Sequence, residues 1–269
     1  MSTRGVLYIL IGKRPLYVKA VRRAAASLKR VMPDLPIALV SDGEIDGPFD
    51  HRIQIAESDP AKIAPGDFPC RAKVIGMKQT PFEHTLYLDA DTSVLADLGE
   101  VFELLDGFDA ALAHAQGRVA HHFDDVPEAF PEFNCGVIAY RNTPFVQSFL
   151  DEWLREYDVL APLHPWNQDQ PSFRRLAYRT PGLRIATLTS EFNRKFDTAG
   201  YVKGQVRVLH GWPLEGGYER VEEAVAVAGA ENPWVFADGR VFDQSGKQIA
   251  DFLGRWYRLR ALRHRLFSR

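Results

Sequence analysis

The stretch His84-Thr-Leu-Tyr-Leu-Asp-Ala-Asp-Thr-Ser-Val-Leu95 decides the fold and indicates the chemistry. Its first half reads as a buried strand, and Asp89 and Asp91 follow directly where the chain leaves that strand. Two carboxylates so close together at the frayed end of a strand can converge on one cation. This is the ligand chemistry of a hard divalent metal that holds a phosphate. Because so short an Asp-x-Asp pattern also arises by chance, its weight depends on the surrounding sequence.

Strands and helices alternate on both sides of this segment. Apolar runs bounded by turn residues indicate strands, and apolar residues at helical spacing indicate helices. The predicted strands are 6–11, 36–40, 51–56, 84–88, 109–114, 133–140, 183–188 and 205–209, and the predicted helices begin near 15, 70, 98 and 143. The alternation predicts an α/β fold with an open, mostly parallel central sheet and helices on both faces.

Two segments between these elements are informative. Thr143-Pro144 is an N-cap and first-turn pair that begins a helix. The predicted apolar stripe of that helix consists of Phe145, Phe149, Trp153 and Tyr157. Residues 116–133 show no periodicity, which predicts a loop near a site.

Composition limits the classes of function. With 269 residues, 46% hydrophobic and 25% charged, the chain can bury the core of one large soluble domain. Its net charge of −2 argues against a nucleic-acid-binding protein, which would carry a basic surplus. The apolar run Val6–Ile11 is too short for a signal peptide or a membrane-spanning helix. Cys70 and Cys135 have no metal-binding or redox spacing, so we expect small buried side chains and a cytoplasmic protein.

The sequence changes character beyond about Gly217, which predicts a main domain over 1–217 and an appendage over 218–269. The segment Trp234–Phe242 has an Asp-Gly turn between apolar runs, which is typical of a β-hairpin. Residues 251–269 combine Arg with apolar residues on one helical face. Such a basic amphipathic helix either lies on the anionic inner face of the plasma membrane or docks on the domain with its arginines solvated.

Further motifs follow the acidic pair in a definite order. They are Lys73, Asn134-Cys-Gly136, Asp169-Gln170 and His210-Gly-Trp-Pro213. In this order and spacing, residues 5–213 resemble the GT-A glycosyltransferases, most of all glycosyltransferase family 8, which contains glycogenin and bacterial lipopolysaccharide galactosyl- and glucosyltransferases. The resemblance implies a GT-A fold and a retaining hexosyltransferase that uses a nucleotide sugar, with UDP as the expected nucleotide.

For the metal, the resemblance implies that Asp89, Asp91 and His210 bind Mn²⁺, or Mg²⁺ in its place. In the family this ion bridges the diphosphate of the donor. A set of oxygen and imidazole ligands suits such a cation on chemical grounds as well. The ion neutralises the leaving nucleoside diphosphate and so acts as a Lewis acid.

Four other residues are candidates for donor binding. Lys73 matches a family residue that contacts the sugar or phosphate. Arg71 is the alternative residue for that role. Lys73 could also be an ordinary solvated lysine on its helix. Tyr17 occupies the place of an aromatic residue that stacks on uracil, although core packing is nearly as good an explanation. Asp42 either binds the nucleotide or forms an Asx turn.

The resemblance also implies which residues line the donor sugar. Asn134, Asp169 and Gln170 match polar positions that hydrogen-bond hydroxyl groups. Because an amide is a poor nucleophile, we assign Gln170 to positioning and electrostatic stabilisation and Asp169 to orienting the sugar or bearing charge. The remaining donor-site positions by this resemblance are Ala90, Cys135, Gly136 and Gly211.

The chain departs from the family after His210. Family members continue with a Gly and then a Lys-Pro-Trp group, whose lysine contacts the diphosphate. This chain has no basic residue between His210 and Arg220. We therefore expect another cation to take that role, either Arg194 or Lys195. A second cluster, His121–Asp125, is expected to be a solvated or acceptor-facing loop, because adjacent loop residues rarely converge on one ion.

These observations predict a metal-dependent glycosyltransferase that extends a glycan or glycolipid of the bacterial surface. Two other interpretations remain open. A sugar-phosphate nucleotidyltransferase would also hold a metal on an α/β sheet, although Ile11-Gly-Lys-Arg-Pro15 is a poor match to its Gly-rich basic loop. An inactive nucleotide-sugar-binding protein of the same fold is the non-enzymatic alternative.

Overall fold

A computed structural model of the chain describes residues 3–12, 14–55, 70–115, 121–163, 168–195, 198–202, 204–211, 234–237, 240–242 and 245–251. The helices in these ranges are α1 (Pro15–Val31), α2 (Cys70–Met77), α3 (Gly99–Leu104), α4 (Pro144–Leu160) and α5 (Gln170–Arg179). The strands are β1 (Arg4–Leu10), β2 (Ile37–Ser41), β3 (His51–Gln54), β4 (His84–Leu88), β5 (Thr92–Val94), β6 (Ala110–His114), β7 (Phe133–Arg141), β8 (Ile185–Leu188), β9 (Arg194–Lys195), β10 (Gly200–Val202), β11 (Val208–His210), β12 (Trp234–Ala237), β13 (Arg240–Phe242) and β14 (Gln248–Asp251).

The central sheet has seven strands in the order β3-β2-β1-β4-β7-β6-β8. Strands β1 to β4 run parallel, β6 and β8 also run parallel to each other, and β7 runs antiparallel to its neighbours β4 and β6. The predicted mostly parallel α/β sheet is therefore confirmed.

Helices cover both faces of this sheet, and alternate residues of β1 show the two cores. Val6 and Tyr8 belong to one core, which includes buried residues of α1 and α3. Leu7 belongs to the other, which includes buried residues of α2, α4 and α5. Because both faces are covered, β1 is a continuous apolar run rather than an alternating one.

Helix α4 begins as predicted, because the Thr143 hydroxyl accepts a hydrogen bond from the Val146 amide. Its predicted stripe was wrong at Phe145, whose exposed fraction is 42%. Phe149 and Trp153 contact Phe173 of α5, whereas Phe145 lies one turn earlier. Helical spacing does not show where a helix begins to meet its neighbour. The predicted strand 51–56 is shorter than expected, since β3 ends at Gln54.

Two smaller sheets flank the central one. Strand β11 lies between β5 and β9, antiparallel to the first and parallel to the second. The hairpin predicted at 234–242 is confirmed, since β12 and β13 pair antiparallel, and β12 also pairs with β10.

The change of character at Gly217 and the basic segment 252–269 both lie outside the described residues. The division into 1–217 and 218–269 stays a prediction, as does the C-terminal helix. Among the helices that the structure describes, none is long and apolar enough to cross a membrane.

Candidate metal and donor site

Asp89, Asp91 and His210 converge at the carboxyl end of β4. The His210 Nε2 atom lies 3.6 Å from Asp89 Oδ2 and 3.5 Å from Asp91 Oδ1. One ligand atom from each residue can be chosen so that all three lie within 4.8 Å of one another. Strand pairing explains how residues so distant in sequence meet, because His210 pairs with Thr92, directly after Asp91.

These three groups fit a divalent ion. At the metal–oxygen distance that Mg²⁺ prefers, ligands at right angles lie about 3 Å apart and opposite ligands about 4 Å apart. The observed separations of 3.5 and 3.6 Å exceed the right-angle distance by about 0.5 Å, which a small rotation of the side chains would close. Two carboxylates and an imidazole suit Mg²⁺ or Mn²⁺, and the three residues leave further coordination positions for a substrate.

The hydrogen bonds behind His210 determine which ring nitrogen faces the site. The Gly136 amide donates to Asn134 Oδ1, which fixes the orientation of the Asn134 side chain, since only the carbonyl oxygen can accept. Asn193 Nδ2 donates to the same oxygen at 2.9 Å, so Asn193 Oδ1 faces His210 Nδ1 at 2.8 Å. An amide oxygen only accepts, and therefore His210 Nδ1 carries the proton. The Nε2 lone pair is free to bind a metal.

Gly136 provides the space that the imidazole occupies. A Cβ atom placed there would lie 2.1 Å from His210 Cε1 and 2.8 Å from Asp89 Oδ2. Any side chain larger than hydrogen would displace two of the three candidate ligands.

The two oxygens of Asp89 have different surroundings. Oδ1 accepts a hydrogen bond from the Tyr87 hydroxyl and lies 3.1 Å from Lys73 Nζ, while Oδ2 faces His210. Burial and the Asp89 charge raise the pKa of Tyr87 well above its usual value, so the phenol stays protonated and donates. The protein therefore holds one oxygen of Asp89 and leaves the other for an ion.

Lys73 is buried between two carboxylates and is not a solvated helix residue. Its Nζ lies 2.7 Å from Asp169 Oδ2 and donates to the Cys135 carbonyl at 3.0 Å. Burial alone would lower the pKa of Lys73, but Asp169 and Asp89 raise it well above its usual value. The ammonium is therefore charged at neutral pH and joins the metal group to the start of α5.

Asp91 stays ionised for a similar reason. Burial raises its pKa, but a protonated His210 ring and Lys195 outweigh that effect and hold the pKa below its usual value; where Nε2 instead binds an ion, the charge of the ion takes the place of the ring proton. Lys195 is therefore close enough to the metal group to act on it electrostatically.

The similarity of this chain to known proteins lies in its structure. No protein-family model matches the sequence, and no curated protein matches it. The glycosyltransferase GlyE of Streptococcus pneumoniae TIGR4 superposes with a TM-score of 0.56 at 16% identity, over 86% of this chain. The galactosyltransferase LgtC, solved with donor and acceptor sugar analogs, gives 0.54 at 16% identity, over 83% of this chain and 95% of LgtC. Mouse xyloside xylosyltransferase 1 gives 0.50 at 18% identity, over 77% of this chain and 97% of that chain.

The fold is that of the GT-A glycosyltransferases. The present chain spans 61% of the length of GlyE, so similarity to that protein concerns part of it only. At these identities the comparison establishes the GT-A fold, and the roles of individual residues rest on the geometry of this chain.

In this GT-A fold, the start of α5 forms a second wall of the site. Asp169 precedes α5 and is 6% exposed, with its carboxylate on Lys73. Gln170 Nε2 donates to Glu132 Oε1 at 2.9 Å. This bond fixes the orientation of the Gln170 amide, with its nitrogen towards Glu132.

The other predicted donor-site residues are distributed as follows. Asp42 and Gly12 connect the ends of β2 and β1, since the Gly12 amide donates to Asp42 Oδ2 at 3.1 Å. Tyr17 is partly buried and packs against the core of that face. Arg71 is directed to α4, where its guanidinium binds both oxygens of Asp158 at 2.8 and 3.1 Å. This ion pair directs Arg71 away from Lys73, although Arg71 was the alternative to Lys73 for phosphate binding.

Ala90 and Gly211 support the metal group through the backbone and the core. Ala90 is partly buried against the core, between the two carboxylates. Gly211 has φ of 95°, a conformation that favours glycine, and its amide donates to the Asp91 carbonyl at 2.9 Å. This bond ties the residue after His210 to Asp91.

The cysteines are free, and Cys135 is buried as predicted, whereas Cys70 is only partly buried. Burial, together with Asp169, raises the pKa of the Cys70 thiol to about 12. Neither a thiolate nucleophile nor a thiolate metal ligand is expected there.

The cluster His121–Asp125 does not assemble a metal site. His122 Nδ1 lies 3.2 Å from the exposed Glu128, and Asp125 pairs with Arg175 of α5 at 3.1 Å. Within the described residues, the group of Asp89, Asp91 and His210 is the one cluster that brings three candidate ligands together.

Three residues of the site were missed by the sequence analysis. Tyr87 lies two residues before Asp89, and the two-residue repeat of a strand indicates that both side chains point to the same face. Asn193 stands beside Arg194, and in this segment the sequence draws attention only to the basic residues. Glu132 gave no sequence signal, because its contact with Gln170 depends on how the loop packs on α5.

Proposed function

We propose that this protein is a metal-dependent glycosyltransferase that transfers a sugar from a nucleoside-diphosphate sugar to a glycan or glycolipid acceptor. The observation that carries the proposal is the convergence of Asp89, Asp91 and His210 in a GT-A fold, at the carboxyl end of β4. Buried Lys73 beside this group and the oriented Gln170 support a site for an anionic sugar donor.

The chain's own residues divide the work as follows. Asp89 Oδ2, Asp91 Oδ1 and His210 Nε2 would hold the ion, which neutralises charge on the departing nucleoside diphosphate. Lys73 keeps Asp89 and Asp169 in place and lowers the repulsion between them. The Gln170 amide oxygen offers partial negative charge to an anomeric carbon that becomes positive, and Glu132 prevents this amide from turning away.

The finer parts of the proposal rest on the sequence resemblance. They are a UDP-linked donor, Mn²⁺ as the resident ion with Mg²⁺ as its substitute, retention of the anomeric configuration, and a role in making a bacterial surface polysaccharide. Tyr17 and Asp42 would meet the nucleoside, and Asn134 the donor sugar. Association with an anionic membrane surface through residues 251–269 belongs to the same proposal.

The decisive test compares the native protein with the Asp91→Asn variant. We expect the native protein to hydrolyse or transfer sugar from one of UDP-, GDP- or dTDP-glucose or -galactose when Mn²⁺ is added. The variant keeps the shape of the carboxylate but loses its charge, so turnover should fall by at least about 100-fold with circular dichroism unchanged. Equal turnover in the two proteins would reject the proposal.

A thermal-shift panel identifies the donor before any acceptor is known. A ligand that binds only the native state raises the melting temperature, and the donor should do so only when Mn²⁺ is present. Donor binding without turnover across a panel of acceptors would instead support an inactive sugar-nucleotide-binding protein. Release of pyrophosphate from a nucleoside triphosphate and a sugar phosphate would support a nucleotidyltransferase.

A further inference from the structure

Strand β9 carries two adjacent cations, and the structure separates them. Arg194 is 0% exposed, and its guanidinium is enclosed by the backbone of Gly200 and by the Thr198 carbonyl, to which it donates. Successive residues of a strand point to opposite faces, so Lys195 points away from this enclosed pocket. Lys195 is partly exposed.

Strand register places Lys195 beside the metal group. His210 of β11 pairs with Lys195 of β9 on one side and with Thr92 of β5 on the other. Paired residues on neighbouring strands point to the same face of a sheet. The Lys195 side chain therefore lies on the same face of the β5-β11-β9 sheet as His210, whose Nε2 faces Asp91.

The charges of the site show what a cation at this position would do. The carboxylates of Asp89, Asp91 and Asp169 are offset by the Lys73 ammonium and one divalent ion, which leaves the group neutral. Lys73 is already bound to two of those carboxylates at 2.7 and 3.1 Å. A diphosphate that binds the ion brings additional negative charge, and Lys195 is a cation on the same face that can compensate it.

We propose that Lys195 binds the diphosphate of the donor and stays with it in the leaving nucleoside diphosphate. The inference rests on the proposed function and deepens it. Lys195 replaces the lysine that the resemblance placed after His210 and that this chain lacks, since the sequence from 211 to 219 contains no basic residue. Arg194, the other candidate for binding the diphosphate, is excluded because its guanidinium is packed against Gly200.

The test measures whether Lys195 distinguishes two phosphates from one. Dissociation constants of UDP and UMP, or of the GDP or dTDP pair if the native protein prefers another base, are measured by calorimetry with saturating Mn²⁺. In Lys195→Gln the diphosphate should bind about 10-fold more weakly while the monophosphate changes by less than about 2-fold, because one charge-assisted contact is lost. Lys195→Arg should recover most of the difference.

Lys78→Gln is the matched control, since it removes the same charge at a distance. Lys78 pairs with Asp151 of α4. The carbonyl of its neighbour Met77 accepts a hydrogen bond from Tyr140, which pairs with Thr85 near the start of β4, whereas the metal group lies at the carboxyl end of that strand. This variant should keep both affinities.

The outcomes separate this inference from the function on which it rests. A native protein that binds none of the three nucleoside diphosphates with Mn²⁺ would contradict the proposed function. Native binding together with an unchanged diphosphate-to-monophosphate ratio in Lys195→Gln would overturn the role of Lys195 alone. A selective loss of diphosphate affinity, absent from the Lys78 control, would support it.

Discussion

Asn193 Oδ1 accepts the Nδ1 proton of His210 at 2.8 Å, and this bond gives the histidine one defined tautomer before any ion binds. The orientation of Asn193 depends on Asn134, and that of Asn134 on the backbone amide of Gly136. A rigid backbone group therefore determines which nitrogen His210 presents to Asp89 and Asp91. Removing a hydrogen-bond partner of a metal ligand commonly lowers metal affinity by about 10- to 100-fold.

Asn193→Ala should lower Mn²⁺ affinity by about 10- to 100-fold, because the ring loses its acceptor and can present either nitrogen. The measurement is a Mn²⁺ titration followed by electron paramagnetic resonance. The ¹⁵N shifts of His210 in metal-free protein should change from a single Nδ1–H tautomer to a mixture. Asn193→Asp loses the donor to Asn134 but keeps an acceptor for the Nδ1 proton, and it should therefore keep the tautomer.

Asn142→Ala is the control for a lost amide contact. Asn142 accepts from Gln147 Nε2 at 2.7 Å and follows β7 at the end of the sheet away from the ligands. Its removal should leave Mn²⁺ affinity unchanged. A single Nδ1–H tautomer in Asn193→Ala would show that other contacts orient the imidazole.

Gly136→Ala should abolish most metal binding while the fold persists. The added methyl group would lie 2.1 Å from His210 Cε1, so the ring must move away from Asp89. We expect a loss of at least about 10-fold in Mn²⁺ affinity. Gly107→Ala, where the nearest atom is the Leu104 carbonyl oxygen at 4.0 Å, is the matched control. Equal affinity in both variants would mean that the imidazole is not needed for the ion.

Trp153→Ala should destabilise the protein by about 3–5 kcal/mol, the usual cost of removing a buried large aromatic side chain. Trp153 is 0% exposed, contacts Phe173 and donates to Ser172 Oγ at 3.0 Å, so it joins α4 to α5. Phe145→Ala, on the same helix but 42% exposed, should cost less than about 1 kcal/mol. Urea denaturation measures both, and similar costs would contradict the burial described for Phe145.

The sequence predicted the parts of this protein that depend on local pattern. Apolar runs identified the central strands, and Thr143 with Pro144 identified the start of α4. The pairing of β11 with β5 was not predictable, because it depends on long-range packing across more than a hundred residues. For the same reason, the motif of Asp89 and Asp91 could be found from sequence, whereas the orientation of its third partner could not.

Side-chain roles were predictable where residue type limits them strongly. Lys73 was selected by its spacing from Asp89, and its burial between two carboxylates is consistent with that choice. Arg71, two residues earlier, has the same charge but lies on a different side of α2 and meets Asp158. The spacing favours Lys73 over Arg71, but the partner of each side chain is not predictable from sequence, because the direction of a short helix relative to the sheet is a tertiary property.

Away from the site, Asp109 connects the starts of β6 and β8. Its Oδ2 accepts from the Arg184 amide at 3.0 Å and from Arg184 Nε at 3.3 Å, and its Oδ1 accepts from Nη2 at 3.3 Å. Desolvation raises the pKa of Asp109, but the hydrogen bonds and charge of Arg184 outweigh it and hold the pKa below its usual 3.8. The folded state therefore binds this proton less readily than the unfolded state does.

Asp109→Asn should lower the free energy of unfolding at neutral pH by about 1 kcal/mol, and the loss should disappear in acid. A carboxylate whose pKa is depressed by folding stabilises the protein fully above its unfolded value of 3.8. That stabilisation is lost as the pH falls from there through the folded value, so native and variant stabilities should converge as the pH drops below that folded value. Denaturation measured at several pH values checks this. In an Arg184→Gln background the same substitution should show a smaller pH dependence, and an unchanged one would assign the effect to groups other than Arg184.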